Sequence, residues 1–147
     1  MTIRDEAVEL QRLVFQAFAA LKKGADARFR EHGLTGAQVG VLTRLSSPEG
    51  KPIGAIGAEL WCDVSNVSGL VARLEQQGLV ARRPDPSDQR VKRVRLTERG
   101  SAALAKVLPG HESALVRRAT ALSREERRTL AALLRRLIEA DEHQEES

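Results

Sequence analysis

Apolar side chains at Ile3, Ala7, Leu10, Val14, Ala17, Leu21 and Ala25 recur at steps of three and four residues, which gathers them on one face of a long amphipathic helix. His32, Gly33 and Leu34 punctuate it. Thr35, followed three residues later by Gln38, forms a capping-box signature for a second helix that turns Val39, Leu42 and Leu45 inward. A loop over Ser46 to Lys51 and a short extended piece at Pro52 and Ile53 lead to a brief third helix, marked by Ile56 and Leu60 and ending near Trp61 and Cys62. Asp63 is the expected N-cap of a fourth helix, about residues 64–77, in which Val67, Leu70, Val71 and Leu74 follow the i, i+3, i+4, i+7 rule. Gly78 supplies the left-handed position that commonly ends a helix, and Leu79 packs back behind it.

From Leu79 to Arg83, and again from Arg90 to Leu96, the period changes to two, with Val94 and Leu96 on one face and Arg93 and Arg95 on the other. Pro84, Asp85, Pro86, Ser87, Asp88 and Gln89 between them are turn formers, so the segment reads as a β-hairpin with an exposed tip. Thr97 caps a fifth helix through Leu104 and Leu108 that Pro109 and Gly110 break or kink. Ser123 with Glu126 opens a sixth, striped by Leu130, Leu133, Leu134, Leu137 and Ile138. The expected fold is mainly α with a small β-hairpin: helix, turn, helix, hairpin, with long helices at either end.

The chain of 147 residues fits one domain with its own core, and 41% apolar with 30% charged residues is a globular balance. Its one cysteine, Cys62, excludes an intrachain disulfide framework and is read as buried and structural rather than as a redox sensor. The absence of an apolar leader after Met1 and of any long uncharged stretch points to a cytoplasmic chain with no membrane partner. The three histidines, His32, His111 and His143, lack metal-site spacing. With no nucleophile motif, no phosphate-binding glycine loop and no clustered acids or bases, neither an enzyme nor a metal or cofactor is expected.

Charge changes the picture more. The net charge is only +4, but Arg82, Arg83, Arg90, Lys92, Arg93, Arg95 and Arg99 face only Asp85, Asp88 and Glu98 in one segment, while the chain after Glu139 is acidic. With its apolar stripe turned inward, the fourth helix presents Ser65, Asn66, Ser68, Gly69, Ala72 and Arg73. A major groove about 12 Å wide admits a helix whose outer face is slim, and Ser and Asn near its start can hydrogen-bond base edges. Arg73 can add a phosphate contact. Each feature has a plainer reading: the basic segment as a solvated edge, Ser65 and Asn66 as ordinary first-turn residues, Asp88 as a turn residue. A winged-helix module used only for protein contacts is the alternative, against which the outward Arg90, Lys92, Arg93 and Arg95 argue.

The run Leu60–Val80, LWCDVSNVSGLVARLEQQGLV, together with Asp88-Gln89-Arg90 and with Leu96-Thr97-Glu98-Arg99-Gly100, resembles the MarR family of transcription regulators. The likeness spans nearly the whole chain; its most specific parts are LE-x-x-GLV, the D-x-R of the hairpin and LT-x-x-G. Val64 stands where many relatives have proline, Trp61 where glycine is frequent, and Cys62 where a small aliphatic residue is common. The resemblance implies a homodimer that reads a pseudo-palindromic operator and is usually a repressor released by a small-molecule effector. Residues 35–97 would form the winged helix-turn-helix unit, and helices within 1–31 and 98–143 the dimer interface. The recognition helix would enter the major groove. The wing, about residues 84–92, would place Arg90 in the minor groove, with Asp88 holding the wing's shape or the arginine's orientation. Ser65, Asn66, Ser68, Gly69, Arg73, Asp88, Arg90 and Lys92 are therefore the candidate DNA-binding residues.

Overall fold

The computed structural model describes residues 1–60 and 64–142. The expected N-cap Asp63, with Trp61 and Cys62, lies outside the described residues, as do His143 and the residues after it. The element order is α1 (Ile3–Arg30), α2 (Gly36–Thr43), β1 (Lys51–Pro52), α3 (Ile53–Leu60), α4 (Val64–Gln76), β2 (Val80–Pro84), β3 (Lys92–Leu96), α5 (Glu98–Ala119) and α6 (Arg124–Glu142). The fold is mainly helical, with a small antiparallel sheet, and two compact units divide it, Met1–Gly110 and His111–Ser147.

In the first unit, α2 and α3 pack on α4, and the sheet closes beside them. Val41, Leu42, Ile56, Val67, Val71, Leu74 and Val94 are completely buried at its centre. The helix boundaries follow from local chemistry. The Thr35 hydroxyl accepts from the Gln38 backbone N–H at 3.1 Å while the Gln38 amide oxygen accepts from the Thr35 N–H at 3.0 Å, so two otherwise unpaired donors at the start of α2 are satisfied. The buried Gln38 also donates to Gln77 at 3.1 Å, tying the start of α2 to the end of α4. Gly78 has φ +72°, and the Leu79 N–H reaches back to the Leu74 carbonyl at 2.9 Å, the six-to-one bond of a Schellman ending.

The hairpin gains a third strand. Lys51 and Pro52 pair with Val94 and Arg93, giving the order β1-β3-β2. Ile53, expected to be extended with Pro52, instead begins α3. At the other end of the sheet, Thr97 joins three elements: its hydroxyl donates to the Gly78 carbonyl at 2.6 Å and accepts from the Gly100 N–H at 3.0 Å, and its own N–H donates to the Leu79 carbonyl at 3.1 Å.

Helix α1 reaches this core only at its C-terminal end, through Ala25 and the buried Phe29, so Ile3, Leu10, Val14 and Leu21 stay exposed. Helix α5 runs on through Pro109, so of the break or kink expected there the break does not occur; a proline within a helix removes one backbone donor. In the second unit, Ser123 and Glu126 form the capping pair of α6, with bonds of 2.7 and 3.2 Å. Arg127 donates to the carbonyls of Ala119 and Leu122, and Leu130, Leu133, Leu134, Leu137 and Ile138 form an exposed stripe. No helix among the described residues is long and apolar enough to cross a membrane.

Candidate nucleic-acid interface

Helix α4 has two faces with different tasks. Val67, Val71 and Leu74 close on the core with no exposed surface. At 100° per residue, the opposite face centres on Ser65, Gly69, Ala72 and Gln76, flanked by Ser68 on one side and by Asn66 and Arg73 on the other. Ser65, Asn66, Arg73 and Gln76 are exposed, whereas Ser68, Gly69 and Ala72 are half-buried. Gln76 belongs to this face, and the sequence reading missed it because it treated the helix start as the reading edge.

Gly69 is informative because nothing in the fold asks for it. Beyond its own helix backbone and chain neighbours, a Cβ at this position would meet no atom of the described residues within 4 Å, and a glycine inside a helix costs roughly 0.5–1 kcal/mol relative to alanine. Gly100, by contrast, is dictated by the fold, since its Cβ would strike the Leu79 carbonyl oxygen.

The hairpin tip between β2 and β3 is shaped by Asp85. Its carboxylate accepts from the backbone N–H of Ser87 at 2.8 Å and of Asp88 at 3.3 Å, and its other oxygen accepts from Arg93 at 3.0 Å. Arg93 also donates to the carbonyls of Glu49 at 3.1 Å and Gly50 at 2.7 Å. The wing is thereby fastened to the loop before β1. The hydrogen bond from the Ser87 N–H, and then that from Arg93, hold the Asp85 carboxyl below its ordinary value of 3.8. A depressed carboxyl pKa stabilises the folded wing above that ordinary value and loses its contribution as pH falls through the folded one. Amide exchange at Ser87 is therefore expected to stay constant from pH 7 to 5, after correction for intrinsic rates, and to accelerate below about pH 4. Asp85→Asn is expected to remove that acid step.

Asp88 points the other way along the chain. It accepts from the Arg90 backbone N–H and side-chain Nε, each at 3.1 Å, while the Arg90 side chain remains 91% exposed. An ion pair this open contributes no more than about 1 kcal/mol, so Arg90 is oriented yet free to exchange its partner. Lys92 is exposed at the start of β3. Arg82, on the inner side of the hairpin, pairs with Glu75 of α4 at 2.9 Å. The hairpin cations therefore divide into fastened ones, Arg82 and Arg93, and outward ones, which periodicity alone could not separate. No group of three or more His, Cys, Asp and Glu side chains among the described residues is arranged to hold a metal ion.

The family model described as "MarR family" matches residues 34–92, from the end of the α1–α2 turn to the start of β3. The chain is 31% identical over 133 residues to a putative transcriptional regulatory protein for the hcr operon of Thauera aromatica, covering 82% of this chain and 78% of that one. It is 29% identical over 132 residues to the HTH-type transcriptional regulator YkoM of Bacillus subtilis, covering 90% and 86%. Among solved structures, the S. aureus MepR–DNA complex superimposes with a TM-score of 0.76 at 25% identity, covering 88% of this chain and 96% of that one.

Proposed function

The chain belongs to the MarR family, and from that premise we propose that it is a sequence-specific transcription regulator that binds double-stranded DNA as a homodimer in the cytoplasm, without catalytic activity. Helix α4 enters the major groove, with Ser65, Asn66, Ser68 and Gly69 against base edges and Arg73 on a phosphate. The wing places Arg90 in the minor groove, with Asp88 as its orienting partner and Lys92 on the backbone. The apolar stripes that α1 and α6 leave exposed support the pairing of each with a second copy. Repression is relieved when a small-molecule effector binds one dimer geometry in preference to the other.

The observation that carries this reading is the outer face of α4: hydrogen-bonding side chains grouped around a glycine that the fold itself does not require. Close approach of another surface accounts for that glycine. Gly69→Ala is accordingly expected to raise the stability of the free protein by about 0.5–1 kcal/mol, read by urea titration, while weakening operator binding. Stabilisation with undiminished binding would remove Gly69 from the interface. Ser65→Ala and Asn66→Ala are each expected to narrow the gap between operator and random DNA by about 1–3 kcal/mol. Equal losses on both DNAs would reassign the residue to phosphate positioning.

The primary test is a gel-shift titration of the purified protein against its own upstream intergenic DNA and an unrelated duplex, at low and near-physiological salt. Tight binding confined to the upstream DNA and surviving the higher salt is the expected result. Binding to both duplexes that vanishes with salt would overturn sequence-specific recognition.

A further inference from the structure

The sheet face turned away from the core carries a charge arrangement that α4 and the wing tip leave unexplained. In the β2–β3 ladder Arg83 stands opposite Arg93 and Ala81 opposite Arg95. Facing residues of an antiparallel pair project to the same side, as do residues two apart, so Arg83, Arg93 and Arg95 share one face while Val80, Val94 and Leu96 take the other. Like charges directly opposite one another destabilise a sheet. Only Arg93 is neutralised, by Asp85 at 3.0 Å. Arg83 and Arg95 have no ion-pair partner among the described residues. These three arginines border a groove of about 570 Å³ walled by Pro48, Pro84 and Pro86. Glu49 and Asp85 are the carboxylates on its lining, so three cations against two anions leave it net positive.

We propose that this groove is a phosphate site, in which Arg83 and Arg95 grip one backbone phosphate of duplex DNA outside the contacts made by α4 and Arg90. The inference rests on the DNA-binding reading above. Guanidinium groups suit the task because their planar forks match phosphate oxygens in pairs. Arg93 completes the site without touching the ligand: its three hydrogen bonds fix the strand from which Arg95 projects and keep the Asp85 carboxylate engaged. The choice of DNA over a free small anion follows from exposure. Arg83 is exposed and Arg95 half-buried, so a lone ion gains little there, whereas a duplex releases condensed counterions at every phosphate neutralised.

The test uses the full chain carrying Arg83→Gln and Arg95→Gln together, titrated against operator and an unrelated duplex of equal length from 50 to 200 mM salt. Affinity for both DNAs is expected to fall by the same factor, at least about tenfold, and the slope of log K against log salt to become shallower by about 1.8, one phosphate's worth for each of the two protomers. Thermal unfolding is expected at or slightly above the wild-type temperature, since the variant also removes the Arg83–Arg93 repulsion. The charge-matched pair Arg117→Gln and Arg118→Gln on α5 is expected to leave the slope unchanged, which separates a local contact from net charge. An unchanged slope in the Arg83/Arg95 variant, or a loss on operator alone, overturns the proposal. Saturable binding of inorganic phosphate to wild type that the Arg83/Arg95 variant loses, with its DNA slope unaltered, would assign the groove to a free anion and overturn it equally. A wild type that binds neither duplex defeats the DNA-binding reading itself.

Discussion

Alanine at position 100 is expected to lower the stability of the Met1–Gly110 unit by about 3 kcal/mol, at the upper end of what overpacking a filled site costs. The added Cβ would overlap the Leu79 carbonyl oxygen and lie 2.9 Å from its carbon. Both are main-chain atoms, and the oxygen already accepts the Thr97 N–H, so neither a rotamer change nor a small shift relieves the contact. Urea titration should show a lower midpoint with an unchanged m-value. Gly110→Ala is the internal control, since its Cβ meets nothing within 4 Å in the same helix and is expected to be neutral or mildly stabilising. A midpoint unchanged in Gly100→Ala would mean that the start of α5 moves cheaply away from β2.

The second large effect is on binding. Arg90→Ala is expected to reduce operator affinity 10- to 100-fold, about 1.4–2.8 kcal/mol, while thermal unfolding and dimer mass stay at wild-type values. The side chain is almost wholly in solvent, and its ionic partner among the described residues is the equally local Asp88, so its removal takes nothing from the core. Asp88→Asn separates orientation from charge: it leaves the arginine in place but removes the ionic hold that aims it, and a smaller loss is expected. Operator affinity unchanged in Arg90→Ala would remove the wing tip from the interface.

What was legible in the sequence was what is local. The capping boxes at Thr35 and Ser123, the ending at Gly78 and the stripe through Val67, Leu70, Val71 and Leu74 each depend on residues within one or two turns, and their signatures survive in any tertiary context. The pairing of Lys51 and Pro52 with β3 was not legible, because a two-residue strand has no period and its partner lies more than forty residues away. The same distance hid the fastening of Arg93 to the carbonyls of Glu49 and Gly50; alternation assigned its face correctly but not its partners. Gly50, with φ +70° and the Val94 carbonyl where a Cβ would sit, is likewise a nonlocal requirement. Pro109 shows the opposite limit: a local signal that allows either a break or a kink does not end the helix, which continues through it. For the candidate interface, the outer face of α4 followed from the inner one, whereas the division of hairpin arginines into fastened and outward required coordinates.

The junction at Thr97 has a bearing on how this hairpin can vary. Its bonds to the Gly78 and Leu79 carbonyls lock the root of the hairpin, where β3 ends and β2 begins, independently of anything between Pro84 and Lys92. A tip anchored from below behaves as an interchangeable cassette: residues inserted or deleted there in register-preserving pairs leave the frame of α4 untouched. Reach into a neighbouring groove can therefore drift during evolution, or be engineered, without a matching change in the helix that reads the bases.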